Sequence, residues 1–187
     1  MKKVFILISI ISAFFLGSCD NRKSKTDRIK DAIKVFNKKN RSLNTTTYHP
    51  NNYTETKTDS IISKTFHVAI SNYSLMTDDI VIKKIAKGKQ QNTTVHRVFE
   101  SNITVSVHHE IIYDKHISAK TFQHYQPSEF WDNATLEHVW VHQEHSNAEN
   151  LSLRVSFINP KNNMFKLYEI RIDRFGNEQL QVLKNYS

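Results

Sequence analysis

The sequence predicts a mainly β protein: an antiparallel meander sheet, folded as a sandwich or a half-barrel, with a short N-terminal helix after a signal peptide. β-Branched and aromatic residues alternate with polar ones from about residue 60 onward, which is the period of two expected of half-buried strands. Clusters of Asn, Pro and Gly separate the C-terminal strands. Short turns between successive strands imply antiparallel pairing.

Residues 1–18 have the layout of a signal peptide. Their apolar run, Val4 to Leu16, follows two lysines and is shorter than the roughly 18 to 20 residues that a bilayer-spanning helix needs. Leu16-Gly17-Ser18-Cys19 resembles the lipobox of bacterial lipoproteins, in which the cysteine becomes a lipidated N-terminus. Since Cys19 is the one cysteine of the chain, we expect lipid there and no disulfide. The alternative is an ordinary cysteine beside a conventional cleavage site.

Residues 19–59 are expected to form a lipid-anchored tether. Ile29, Ile33 and Phe36 recur at helical spacing among many Lys and Arg residues, which indicates a short basic amphipathic helix. Two interpretations stay open for this helix: it lies on the membrane beside the anchor, or it is a marginal helix in a solvated tether. From Ser42 to Asp59 the chain is polar with few aliphatic residues, which predicts a linker.

Residues 60–187 are expected to form one β-rich globular domain, large enough for its own core. Turns are predicted at Asn159-Pro160-Lys161-Asn162-Asn163 and Arg174-Phe175-Gly176-Asn177. The apolar positions of the predicted strands are Phe66, Val68 and Ile70; Ile80 and Ile82; Ile103, Val105 and Val107; Ile111 and Tyr113; Val139 and Val141; Leu151, Leu153, Val155 and Phe157; Phe165, Leu167, Ile170 and Ile172; and Leu180 to Leu183.

The charge of the chain favours a membrane over a nucleic acid as partner. Without the two lysines of the signal peptide, the chain has 24 basic and 18 acidic residues. Basic charge beside a lipid anchor is explained by attraction to an anionic membrane surface. No aromatic-rich nucleic-acid motif accompanies it. We therefore expect contact with the membrane through the N-terminal lipid, and no nucleic-acid partner.

Glycine and cysteine usage excludes several classes of enzyme. Only Gly88 and Gly176 remain outside the signal peptide, so no phosphate-binding loop, dinucleotide-binding fingerprint or nucleophile elbow can be built. With Cys19 committed to lipid, thiol catalysis and cysteine metal sites are excluded too. We expect no cofactor, and we assign no catalytic residue.

Two further motifs are interpreted as turns. His108-His109-Glu110 begins like a metalloprotease motif, but Tyr113 stands where the second histidine is required. A hairpin turn is the better interpretation. Asp78-Asp79 lies between two strand-like segments, which is typical of a solvated turn and not of a catalytic carboxylate pair.

Histidine is the one unusual abundance, with ten residues. His138, His142 and His145 lie close together in the sequence, with Glu137 and Glu144 among them. On a strand, His138 and His142 share a face but stand about 13 Å apart, too far to grip one ion directly. The segment is therefore interpreted either as a metal site or as exposed histidines on a strand end and the following turn.

Six segments of the chain carry a resemblance to a known family: Leu136 to Val141, Val155 to Pro160, Tyr168 to Asp173, Glu178 to Leu180, Asn72 to Met76 and Phe99 to Ser101. They resemble an uncharacterised family of Bacteroidetes lipoproteins. The resemblance implies an envelope location and a single small domain, and it supplies no activity or site. Surface-exported lipoproteins of such bacteria are acidic after the lipidated cysteine, whereas Asp20-Asn21-Arg22-Lys23 follows here. That departure favours the periplasmic side of a membrane.

Two functions are consistent with the sequence. The first is a non-enzymatic binding or envelope-associated module that contacts a protein, glycan or lipid partner. The alternative is a metal-dependent hydrolase or metal-handling protein that uses His138, His142 and His145. Convergence of their side-chain nitrogens with a carboxylate on one point would separate the two.

Overall fold

The computed structural model describes residues 24–39, 44–85 and 91–186. Two compact units divide between Leu43 and Asn44, and the first contains helix α1, Lys25–Lys39. Ser24 caps α1: its Oγ accepts a hydrogen bond from the Asp27 amide at 3.1 Å and donates one to the Asp27 carboxylate at 2.8 Å. The first of these bonds satisfies one of the amide groups that a helix start leaves free. The predicted helix is confirmed.

Cys19 and the predicted signal peptide lie outside the described residues. Among the residues that are described, no helix is both long and apolar enough to cross a membrane.

The second unit is a sandwich of two β-sheets. The first sheet has the strand order β1-β4-β3-β2, with β5 also paired to β4, and the second is the antiparallel meander β6-β7-β8-β9. The mainly β prediction is confirmed. Within the described residues the strands are β1 (Thr45–His49), β2 (Glu55–Ile62), β3 (Phe66–Ile85), β4 (Gln91–Val107), β5 (Glu110–Ile117), β6 (Thr135–Val141), β7 (Asn150–Asn159), β8 (Met164–Asp173) and β9 (Glu178–Tyr186).

Both sheets contribute side chains to one core. The inner faces of β7 and β8 are fully buried, and a short helix α2 (Ala119–Gln123) with a 3₁₀ helix (Glu129–Asn133) closes one end. Phe122 from α2 contacts Phe157 with ring centroids 4.7 Å apart. Burial of these aromatic rings, together with the aliphatic side chains of the core, stabilises the domain.

A buried asparagine on β3 connects the two sheets through hydrogen bonds to β6. Asn72 on β3 is 6% exposed; its side chain donates to the Val139 carbonyl at 3.3 Å and accepts from the Val139 amide at 3.2 Å. These bonds lie next to an irregularity of register between Leu136 and His138. Asn72 thereby satisfies two backbone groups of β6, which lies at the edge of its sheet.

The linker predicted over residues 42–59 is wrong, because this segment holds β1 and the first part of β2. All five side chains of β1 are exposed, and only Ile62 of β2 is buried. Edge strands of this kind are held by backbone hydrogen bonds and carry no apolar period. β1 also pairs parallel with β4, whereas a purely antiparallel sheet was expected.

Two details of the predicted strands also differ. Asp78 and Asp79 lie within β3, beside a register shift, and not in a turn; Asp79 binds Arg97 Nη1 at 2.7 Å. On β8 the inward side chains are Lys166, Tyr168, Ile170 and Ile172, while Phe165 and Leu167 lie half-buried on the opposite face.

The predicted hairpin turn at His108 and His109 is confirmed. Both residues have positive φ, 51° and 67°, as a two-residue turn between antiparallel strands requires.

Candidate metal centre

The structure brings two of the three predicted histidines together with a glutamate. His142 follows β6 directly, His145 ends a 3₁₀ helix (Gln143–His145), and Glu169 lies on the outer face of β8. One potential ligand atom from each lies within 4.8 Å of the others. His138 is not part of this cluster; its ring stacks on Trp140 with centroids 5.8 Å apart.

A tight loop between β6 and β7 places the two histidines side by side. Residues three apart on a 3₁₀ helix lie directly above one another, and the His142 and His145 rings have centroids only 4.0 Å apart. Ser146 holds the loop closed, since its Oγ donates to the His142 carbonyl at 2.9 Å and accepts from the Ser152 amide at 2.9 Å. The loop thereby covers part of the outer face of the second sheet.

Glu169 lies beneath that loop, and its side chain is only 2% exposed. Its Oε1 is 3.2 Å from His145 Nδ1 and 3.8 Å from His142 Nδ1, and it accepts a hydrogen bond from Ser152 Oγ at 2.8 Å. The other oxygen, Oε2, is 3.2 Å from Arg171 Nε. Arg171 therefore orients the carboxylate so that Oε1 faces both imidazoles.

The surroundings keep this carboxylate ionised. Burial on its own raises the pKa of Glu169, but the hydrogen bonds from Ser152 and His145 and the charge of Arg171 outweigh burial and hold the pKa below its usual range. An ionised, oriented carboxylate is the form that binds a metal ion.

His142 has an unpartnered ring nitrogen. Its side chain is 15% exposed, and within the described part of the chain its buried Nδ1 has no hydrogen-bond partner. A buried polar atom without a partner is costly and calls for an explanation. This nitrogen is also the one that faces Glu169 Oε1, so an ion between them would satisfy it.

A polar cavity of about 570 Å³ opens beside the cluster and reaches His145. It gives an ion a path from solvent, as an accessible site requires. Its walls come from the covering loop and from the β8–β9 hairpin: Glu144, His145, Ser146, Asn147, Asn150, Arg171, Asp173, Asn177 and Gln179.

The donor set fits a first-row divalent ion. Zinc binds imidazole nitrogen and carboxylate oxygen at about 2.0 to 2.2 Å in tetrahedral sites, which places neighbouring donor atoms about 3.3 Å apart. The distances from Glu169 Oε1 to the two Nδ1 atoms are 3.2 and 3.8 Å. All three ligand atoms lie within 4.8 Å of one another, so two imidazoles and one carboxylate could hold zinc after side-chain adjustments of up to about 1.5 Å.

A second cluster joins histidine, carboxylate and serine on the outer face of the first sheet. His67 Nε2 is 2.7 Å from Asp59 Oδ1, and its Nδ1 is 3.5 Å from Ser106 Oγ. The order resembles a catalytic triad, but the side chains of His67 and Asp59 are 50% and 72% exposed. A solvated carboxylate stabilises an imidazolium weakly, and 3.5 Å is too long for efficient proton transfer. We assign this cluster no catalytic role.

Glu169 is the residue that the sequence did not reveal. It occupies a polar position in an alternating strand, Tyr168-Glu169-Ile170, and such positions normally face solvent. The spacing of His142 and His145 was the available signal, because a single turn of 3₁₀ helix brings residues three apart together.

No protein-family model and no curated protein matches the sequence of this chain.

Proposed function

We propose that the β domain binds a divalent transition-metal ion, Zn²⁺ in the first place, through His142, His145 and Glu169. The observation that supports this proposal is the buried Glu169 Oε1, which faces two imidazole nitrogens, one of them without a hydrogen-bond partner. In this proposal the protein is a metal-binding module of the bacterial cell envelope. Lipid on Cys19 and a periplasmic position belong to the same proposal and are supported by the lipobox-like residues and the basic residues after them.

Each residue of the centre has a distinct part in the proposed site. Glu169 binds through Oε1 alone, because Oε2 is engaged by Arg171. Ser152 and Arg171 hold the carboxylate in place, as residues that hydrogen-bond to metal ligands commonly do. Three protein ligands leave a fourth position of a tetrahedral ion for water or another small donor.

Metal binding is proposed in preference to hydrolysis because of how the other carboxylates around the cavity are used. Asp173 accepts hydrogen bonds from the Phe175 and Asn177 amides and from the Asn177 side chain. Glu144 is 91% exposed and its carboxylate is 4.0 Å from His142. Both oxygens of Asp173 are thus engaged by neighbouring donors, and Glu144 is solvated, so neither carboxylate has the properties of a base that activates metal-bound water. A protein, glycan or lipid partner stays a prediction from the sequence.

The experiment is a zinc titration of the tag-free, unlipidated chain of residues 20–187 against a chromophoric chelator. We expect one equivalent of zinc to bind. His145→Ala should weaken binding by at least about 100-fold, more than removal of a group that only orients a ligand. His138→Ala is the matched control, since His138 lies nearby on β6 but outside the cluster, and it should bind zinc as the parent chain does.

Two results would overturn the proposal. One is the absence of bound zinc at micromolar protein while circular dichroism shows a folded domain. The other is an equal loss of affinity in His138→Ala and His145→Ala, since this would mean adventitious binding to exposed histidines.

A further inference from the structure

The net positive charge of the chain comes from its N-terminal part. Residues 44–187 contain 15 basic and 15 acidic side chains, whereas residues 1–43 contain 11 basic and three acidic ones, so the whole net charge of +8 lies before Asn44. Within that part, α1 carries six basic and two acidic residues, a net charge of +4. The β domain is neutral by the same count.

Helix α1 combines this charge with an apolar stripe. Ile29, Ile33 and Phe36 recur at helical spacing and share one face. Their side chains are 51%, 53% and 61% exposed. Val35 is also exposed, at 62%, but lies about 120° around the helix from the middle of the stripe.

An exposed stripe on so short a helix calls for a surface to cover it. A helix of 15 residues is marginal in water on its own, and most helical stability comes from burial of an amphipathic face. A second copy of α1 would carry the same charge of +4 and repel the first. An anionic surface with an apolar interior satisfies both the lysines and the stripe.

We infer that α1 docks on an anionic lipid bilayer, with Ile29, Ile33 and Phe36 inserted at the boundary of headgroups and acyl chains. This inference does not depend on the metal centre. It agrees with the proposed lipid on Cys19, because Ser24 is five residues after Cys19 and a chain of that length reaches at most about 18 Å. α1 would then begin at the membrane surface, and the anchor would hold it there.

The test uses the unlipidated chain of residues 20–187, so that lipid on Cys19 does not contribute. This chain keeps the whole core, whose buried members lie between Ile62 and Ile172. Vesicles of phosphatidylglycerol with phosphatidylethanolamine are compared with vesicles of phosphatidylcholine by co-sedimentation. We expect partitioning onto the anionic vesicles, weaker partitioning at high salt, and little onto the neutral ones.

Ile33→Glu and Val35→Glu form a matched pair, because they change the charge equally and differ in the helix face. Ile33→Glu should lower partitioning by at least about tenfold more than Val35→Glu does. No partitioning onto anionic vesicles would overturn the inference. Equal losses in the two variants would also overturn it, since they would mean attraction by charge alone. Partitioning onto neutral and anionic vesicles alike would contradict the role of the lysines.

Discussion

The outer faces of the two sheets carry clusters of the same residue types in different surroundings. On the second sheet, Glu169 contacts His145 and Ser152. On the first sheet, His67 contacts Asp59 and Ser106. The Glu169 side chain is 2% exposed and the Asp59 side chain 72%. The histidines do not differ in this way, since His145 is 49% exposed and His67 50%. Burial of the carboxylate therefore separates the candidate metal centre from the polar surface cluster.

The difference in burial comes from one loop. The segment between β6 and β7 folds back over the outer face of the second sheet, held by the His142 amide, which donates to the Ser152 carbonyl at 2.8 Å. A charge under such a cover interacts strongly with its neighbours, because little water screens it. The Asp59 carboxylate is mostly exposed to solvent, where the same interactions are weak.

The largest expected difference between the clusters is in stability. In metal-free protein, Glu169→Ala should lower the free energy of unfolding by about 3 kcal/mol, because the polar groups that faced Glu169 lose a buried partner. Asp59→Ala should lower it by less than about 1 kcal/mol. Urea denaturation followed by circular dichroism measures both. Equal effects would show that the covering loop does not desolvate Glu169.

The next largest expected difference is the gain in free energy of unfolding when zinc is added. At a free concentration 100 times the dissociation constant, zinc should stabilise the parent chain by about 2.7 kcal/mol. His67→Ala should keep this stabilisation and His145→Ala should lose it, because of these two histidines only His145 belongs to the proposed site. Thermal unfolding with zinc and then with an excess of chelator measures the change. Loss of the stabilisation in His67→Ala would point to zinc on the first sheet.

Much of the fold could be predicted because its core strands alternate strictly. Leu151, Leu153, Val155 and Phe157 were predicted to face inward, and all four are fully buried. The edge strand β1 escaped prediction because all of its side chains are exposed. Backbone pairing at a sheet edge leaves no mark on the pattern of apolar residues.

The candidate site was predictable only in part. Proximity of His142 and His145 follows from their spacing once a 3₁₀ turn joins them. The distance between His138 and His142 was also expected, because the rise per residue of a strand places them far apart. Glu169 could not be found, because its burial depends on a loop about 20 residues earlier in the chain. Burial by a loop from another part of the chain cannot be read from the local alternation of apolar and polar residues.

The smallest expected difference is the coupling within each histidine–carboxylate pair. A double-mutant cycle of His67→Ala and Asp59→Ala should give a coupling free energy below about 1 kcal/mol that vanishes in high salt. The cycle of His145→Ala and Glu169→Ala in metal-free protein should give about 1 to 3 kcal/mol and change little with salt. Both contacts are short, 2.7 and 3.2 Å, and the shorter one is the exposed one. If the 2.7 Å pair proved the more strongly coupled, distance would outweigh burial, and His67 with Asp59 would become the cluster to examine for function.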